Sequence, residues 1–222
     1  MNKKFATYTL IILLTGSIVT AFPTTDRVNA REQNLAQTSP VNRSPMDRGM
    51  EMRVEVDKRF IEMMIPHHQS ANEMAQMALS RAKSPEVKKL AQSIIEEQTR
   101  EIEQMQTWYK QWYGAEVPTH MNMEMQNGGM NMGMQNGMEQ AMMQMEMMDR
   151  EMMEALENAS NFDQEFLRQM TRHHQMATMM AGMVVNSAQH REIRTLAQNI
   201  IESQSAEIAQ MQELLQAMNA PN

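Results

Sequence analysis

Residues 57–108 read DKRFIEMMIPHHQSANEMAQMALSRAKSPEVKKLAQSIIEEQTREIEQMQTW, and residues 163–214 read DQEFLRQMTRHHQMATMMAGMVVNSAQHREIRTLAQNIIESQSAEIAQMQEL. The two stretches align without a gap at a constant offset of 106, and 24 of the 52 pairs are identical. Self-similarity of this kind marks a duplicated structural unit. Within the first copy, Phe60, Met64, His67 or His68, Ala71, Met74 or Ala75, Ala78 and Ala82 recur at helical spacing. A helix is expected from about Asp57, as its N-cap, to about Lys83. Ser84-Pro85-Glu86 then stops it and starts another. Serine caps, proline suits the first helical position, and glutamate complements the helix dipole.

The second helix carries Val87, Leu90, Ala91, Ile94, Ile95, Gln98, Ile102, Met105 and Trp108, a wide apolar face with one polar interruption. Gly114 is its expected stop. The second copy repeats the plan, with helices over about Asp163–Ser187 and Gln189–Ala217. Its matching stripe is Ile193, Leu196, Ala197, Ile200, Ile201, Gln204, Ile208, Met211 and Leu215. Neither hairpin buries its apolar face alone. The expected fold is all-α: an antiparallel four-helix bundle made of two duplicated hairpins, 57–114 and 161–222, with an insert between them.

The insert, 115–160, has another composition. From Met121 to Met153 there are 14 Met in 33 residues. Asn-Gly, Gly-Gly and Met-Gly in its first half are loop signals. A helix is expected from about Gly137 to Ala159. At the other end of the chain, Lys3 and Lys4 precede an apolar run from Tyr8 to about Ala21. Residues 1–30 read as a secretory signal peptide cleaved after Ala21 or Ala30; the run is short for a membrane span. Residues 31–56 are expected to be a polar tether. The mature chain is then expected in the periplasm, or secreted, with no membrane span.

The chain holds 30 Met, 6 His and no Cys in 222 residues. The formal net charge of −7 argues against a nucleic-acid partner. In an oxidising compartment thiols are prone to form disulfides, whereas a thioether stays a soft, neutral ligand. The central motif is Met64-Ile65-Pro66-His67-His68, matched by Met170-Thr171-Arg172-His173-His174. On a helix, Met64 lies one turn before both His, and the adjacent His point about 100° apart. The first hairpin turns near residue 84, so residues whose numbers sum to about 169 sit at one height, as Met64 and Met105 do. Met64, one of His67 or His68, and Met105 are therefore a candidate S,N,S set. Met170, one of His173 or His174, and Met211 are the second. Met74 and Met77, with Met180 and Met183, offer further soft donors up the same helices. In the insert, His120, Met121, Met123, Met125, Met130, Met132 and Met134 alternate with other residues, and alternate side chains of an extended chain share one side.

These donors suit Cu(I), with Ag(I) as a surrogate. Structural zinc favours Cys and His, and calcium and magnesium want oxygen cages. A di-iron bundle needs Glu-x-x-His, which is absent here, and Glu73 becomes Met179 in the second copy. Pro66 should kink its helix, and Arg172 replaces it in the second copy, so the two sites need not be equivalent.

The segments FIEMMIPHHQSANEMA and FLRQMTRHHQMATMMA resemble the His-His motif of a widespread bacterial domain of unknown function, a ferritin-like four-helix bundle often associated with copper. The resemblance covers about residues 50–218. It implies a periplasmic copper binder acting in copper resistance and homeostasis, with Met64, His67, His68, Met74, Met77, Met105 and their second-copy partners as ligands. The expected role is a stoichiometric binder, not an enzyme; its partners are monovalent copper or silver ions and a copper sensor or efflux component. Two readings stay open beside it. One is a metal oxidase using the same residues. The other is a Met-rich protein-interaction module, since Met at helical spacing is usually core and Met-rich surfaces bind partners.

Overall fold

The structure is a computed structural model; it describes residues 45–118 and 132–220, with side-chain surroundings from residue 56 in the first stretch and residue 140 in the second. It is all-helical, with no strand among the described residues. Five helices follow in order: α1 (Pro45–Arg81), α2 (Pro85–Tyr113), α3 (Met132–Glu157), α4 (Phe162–Val184) and α5 (Arg191–Asn219). Signal peptide, His120, Met121, Met123, Met125 and Met130 lie outside the described residues. Met132 and Met134 belong to α3, but their side chains lie outside the described set.

The α1–α2 turn follows its local chemistry. The Ser84 hydroxyl accepts the Val87 N–H at 3.3 Å, and Pro85 opens α2. Gly114 closes α2 at φ 67°, a conformation glycine adopts without a Cβ penalty, and its N–H bonds Lys110 O. The α1 start differs from the sequence expectation. The helix begins at Pro45, so residues 45–56 are helical rather than tether, and Asp57 lies inside the helix.

Asp57 is used across the molecule instead. Its fully buried carboxylate accepts the N–H groups of Gln189 and His190, each at 2.8 Å, and His190 Nδ1–H at 2.6 Å. Asp163, one repeat later, accepts the N–H groups of Lys83 and Ser84, each at 2.8 Å. Each hairpin thus caps the turn of the other, satisfying amides that open α5 and α2. The N-cap of α4 is Asn161, whose side chain accepts from Gln164 N.

The α3 helix also starts earlier than expected, at Met132, and runs through Gly133 and Gly137. Gly137, inside the helix, costs about 1 kcal/mol. Docking offsets this: Met142, Met145, Met152 and Leu156 are all buried, and a fully buried side chain of this size contributes about 1.5–3 kcal/mol. Arg81 donates to Leu156 O and Glu157 O at the end of α3.

Packing runs along the hairpins, α1 on α2 and α4 on α5, and between them through α1 and α4; α3 packs on both α1 and α4. Two apolar clusters result. One gathers Phe60, Ile61, Met64, Ile102, Met105, Met145, Met180 and Leu196 among others. The other gathers Ala71, Met74, Leu90, Met152, Phe166, Met170 and Met211 among others. Along α1 the first cluster ends at Ile65 and the second begins at Ala71, and the His pair falls between them. No described helix is long and apolar enough to cross a membrane.

Candidate metal centre

His67, His68, His173 and His174 are all fully buried. Their rings form a layer across α1 and α4. The His67 and His173 rings meet with centroids 3.8 Å apart, tilted by 40°. The neighbouring rings lie farther off, at 6.4 Å for His67–His68 and 6.3 Å for His173–His174. Adjacent positions on a helix diverge by about 100°, so each pair splits: one ring faces the opposite hairpin and the other turns to its own second helix.

The outward rings are held by carboxylates. His68 Nε2–H donates to Glu101 Oε2 at 2.6 Å, and His174 Nε2–H donates to Glu207 Oε2 at 2.7 Å. A carboxylate only accepts, so Nε2 carries a proton, and the neutral tautomer this selects has its lone pair on Nδ1. Both Nδ1 atoms are buried without a hydrogen-bond partner in the protein. A carboxylate on one ring nitrogen and a free lone pair on the other is the arrangement that orients metal-ligating imidazoles.

The inward rings have no such support. All four nitrogens of His67 and His173 are buried and unpartnered. Burial holds both rings well below the ordinary imidazole pKa, and neighbouring His charges push the same way, His173 first for His67 and His174 first for His173; the His67 backbone beside the His173 ring opposes the fall there. Both rings are neutral at pH 7 and available as donors. Gln98 on α2 has both amide atoms buried and unpartnered, and the Gln204 carbonyl on α5 is likewise unpartnered. Buried polar groups are normally bonded, so this layer is an exception that needs a cause.

Asp149 of α3 reaches the same layer. Its Oδ1 lies 3.7 Å from His173 Nε2. Burial raises its pKa to about 6; a hydrogen bond with Ser70 opposes the rise, and Glu73 and Glu146 add to it.

The thioethers flank the layer in two sets. Met64, Met105, Met145 and Met180 lie in one cluster, and Met74, Met152, Met170 and Met211 in the other. Met64 shares its cluster with Met105, and Met170 with Met211. The placing of Met74 and Met180 differs from the expectation that they extend their own copies' sites. Ten residues along a helix is about 15 Å, so Met74 passes beyond the His layer. Met64 on α1 shares a cluster with the C-terminal half of α4, and Met170 shares one with the C-terminal half of α1. Each set therefore joins two Met of one copy to one Met of the other. Met77 is half-buried, its Sδ accepting from Arg81 Nη1 at 3.6 Å. Met183 is 64% exposed and belongs to neither cluster.

Among the described residues no three His or acidic side chains gather as a metal cage. The soft donors that flank these rings are the thioethers of the two clusters.

Glu101, Glu207, Gln98, Gln204 and Asp149 are functional candidates that motif reading passes over. Four of them were within reach: Gln98 and Gln204 are the same polar interruption of the two apolar stripes. The antiparallel register that puts Met64 level with Met105 also puts His68 level with Glu101, and Glu101 and Glu207 are identical across the copies. Asp149 has no repeat partner and carried no signal.

A domain of unknown function, DUF305, matches residues 57–215. The chain belongs to the DUF305 family. Among solved structures, this DUF305 chain is similar to CopM in its Cu(I)-bound form: 43% identical, covering 74% of this chain and 98% of CopM, with a TM-score of 0.58. It is similar also to CopM in the Ag-bound form obtained by soaking, 42% identical over the same shares, with a TM-score of 0.57. An uncharacterized protein of Acanthamoeba polyphaga mimivirus is 43% identical over 49 residues, 22% of this chain and 32% of the viral protein. The match thus spans about a third of that relative's length.

Proposed function

We propose that this chain binds Cu(I), with Ag(I) as a surrogate, and sequesters or carries it outside the cytoplasm in copper resistance and homeostasis. The observation that carries the reading is the buried layer of four imidazoles with six unpartnered nitrogens, set between two clusters of four buried Met each. Imidazole and thioether together suit a soft monovalent ion that accepts few ligands. Likeness to CopM, solved with Cu(I) and with Ag bound, supports the same choice. Helices α1, α2, α4 and α5 read as an antiparallel four-helix bundle of ferritin-like type, with α3 as a cover over the His layer. The apolar run before Ala21 supports export to the periplasm.

The chain acts as a stoichiometric binder rather than an enzyme in this reading. The buried carboxylates are already engaged: Asp57 and Asp163 cap the turns, Glu62 accepts the Tyr109 hydroxyl, and Glu101 holds the His68 ring. The test is titration of the metal-free protein with Cu(I) against a competing chelator. At least one ion bound per chain is expected; none bound ends the proposal. Replacing both His67 and His68 by Ala should weaken binding, and unchanged affinity and stoichiometry would return those rings to a packing role.

A further inference from the structure

We propose that α4 carries a thioether ladder, Met183, Met179 and Met176, along which a soft monovalent ion passes between solvent and His173. The inference rests on the soft-ion reading of the His layer. Successive members are four, three and three residues apart, so each lies about one turn from the next, with about 5–6 Å between neighbouring Cβ atoms. Exposure falls along the row. Met183 and Met179 are each 64% exposed, Met176 is half-buried, and His173 is fully buried with both ring nitrogens unpartnered. Met176 packs against both apolar clusters, which places it at their border, the level of the His layer.

The duplication supplies an internal comparison. The equivalent row on α1 is Met77, Glu73, Ser70 and His67. Two thioethers are replaced there by oxygen groups. Glu73 and Ser70 instead face Asp149 of α3, which sits against that row. A soft ion finds a continuous row of sulfur on α4 and an interrupted one on α1. The entry is therefore one-sided, although the rings it serves are shared. His173 meets His67 at 3.8 Å, so an ion arriving at His173 stands at the junction of both copies. Thioether suits this role because a neutral soft ligand lets an ion of low coordination number exchange partners without moving a proton.

A path and a ligand are separated by kinetics. The full chain, metal-free, is mixed with Cu(I) held in a coloured chelator, and colour loss gives the loading rate. Excess chelator added to loaded protein gives the unloading rate. Met176→Leu with Met179→Leu preserves volume. It should slow loading and unloading by the same factor, about tenfold, which corresponds to about 1.4 kcal/mol in barrier, and leave equilibrium affinity unchanged. Met143→Leu with Met147→Leu removes two other exposed Met and should change neither rate. Equal slowing by both double variants would overturn the ladder in favour of general surface capture. Unchanged rates in the α4 variant would also overturn it, as would weakened affinity with faster unloading. Met179→Leu alone, at an exposed position, should give a smaller slowing in the same sense. Failure of the unmodified chain to take Cu(I) at all would instead refute the binding proposal beneath this one.

Discussion

Replacing His67 and His173 together by Leu should make the metal-free protein more stable while reducing its response to silver. A neutral imidazole has one N–H and one lone pair, and in both rings each is buried without a hydrogen bond; the Asp149 carboxylate stands 3.7 Å from His173 Nε2, beyond bonding range. A buried donor or acceptor left unsatisfied costs about 1–3 kcal/mol. Taking the low end for all four atoms gives about 4 kcal/mol held against the metal-free fold. Two terms work the other way. The ring contact at 3.8 Å is lost, worth about 1 kcal/mol. Imperfect fit of each Leu costs about 0.5–1 kcal/mol at a site of similar volume. The net gain is about 1–2 kcal/mol, which for a helical unit of this size raises Tm by roughly 3–6 °C. The assay is thermal unfolding of metal-free protein at pH 7, followed by circular dichroism with and without Ag(I). The unmodified chain should gain Tm with Ag(I), because a ligand that binds only the native state stabilises it. The variant should start higher and gain less. A variant less stable than the unmodified chain by 2 kcal/mol or more, about the cost of a lost buried network, would refute the reasoning. The rings would then be core components already satisfied.

Three further outcomes follow from the same geometry. Because burial depresses the His67 and His173 pKa values, the unfolded chain takes up protons below about pH 6.5 that the folded rings refuse. Metal-free stability should fall with acid by up to about 2.7 kcal/mol per pH unit for the two rings. Asp149, raised to about 6, works oppositely between about pH 6 and pH 4, since the folded state holds that proton and the unfolded state releases it. Urea melts at pH 7 and 5.5 should show the loss, and the double Leu variant should be flatter; equal slopes would sink the assignment. Glu101→Ala should weaken Cu(I) binding about tenfold by freeing the His68 ring, and Glu207→Ala should do the same at His174. Competition titration reads both, and an unchanged affinity would remove the carboxylates from the site. Asp57→Ala removes the acceptor for two backbone amides and one imidazole. It should cost about 2–4 kcal/mol, read from urea unfolding, with no change in Cu(I) stoichiometry.

Much of this is legible in the sequence, and the reason is the duplication. A gapless offset of 106 displays each helix twice, so positions that matter show as shared and positions that drift show as replaced. Helix periodicity and the Ser84-Pro85-Glu86 signal locate the first turn, and Gly114 closes α2 where a left-handed residue is needed. Local signals failed where the answer is tertiary. Asp57 has the chemistry of an N-cap, but the amides it caps belong to the other hairpin, 132 residues away. Gly133 and Gly137 argue against helix, and docking of α3 overrides them. Pairing within one hairpin was accessible because a short turn sets the register. Pairing between hairpins was not, since nothing in either copy says how α1 meets α4.

That second register changes what the site is. Read within one copy, the motif suggests two separate sets, each with its own Met-x-x-His-His. Folding α1 against α4 brings His67 onto His173 and exchanges Met74 for Met180 between the sets. Neither hairpin then owns a complete set of donors. A single hairpin would lack the opposing ring and one thioether. It would also leave its turn uncapped, because the capping aspartate comes from the other copy. The same contact that closes the core therefore assembles the donor layer, and soft-ion affinity should appear only with the joined fold. Mixing the two hairpins as separate chains tests this directly. Each alone should bind Ag(I) weakly, and together they should recover both helix content and affinity at one concentration. Affinity regained by either hairpin alone would show that the copies act independently and that the shared His67–His173 contact is incidental.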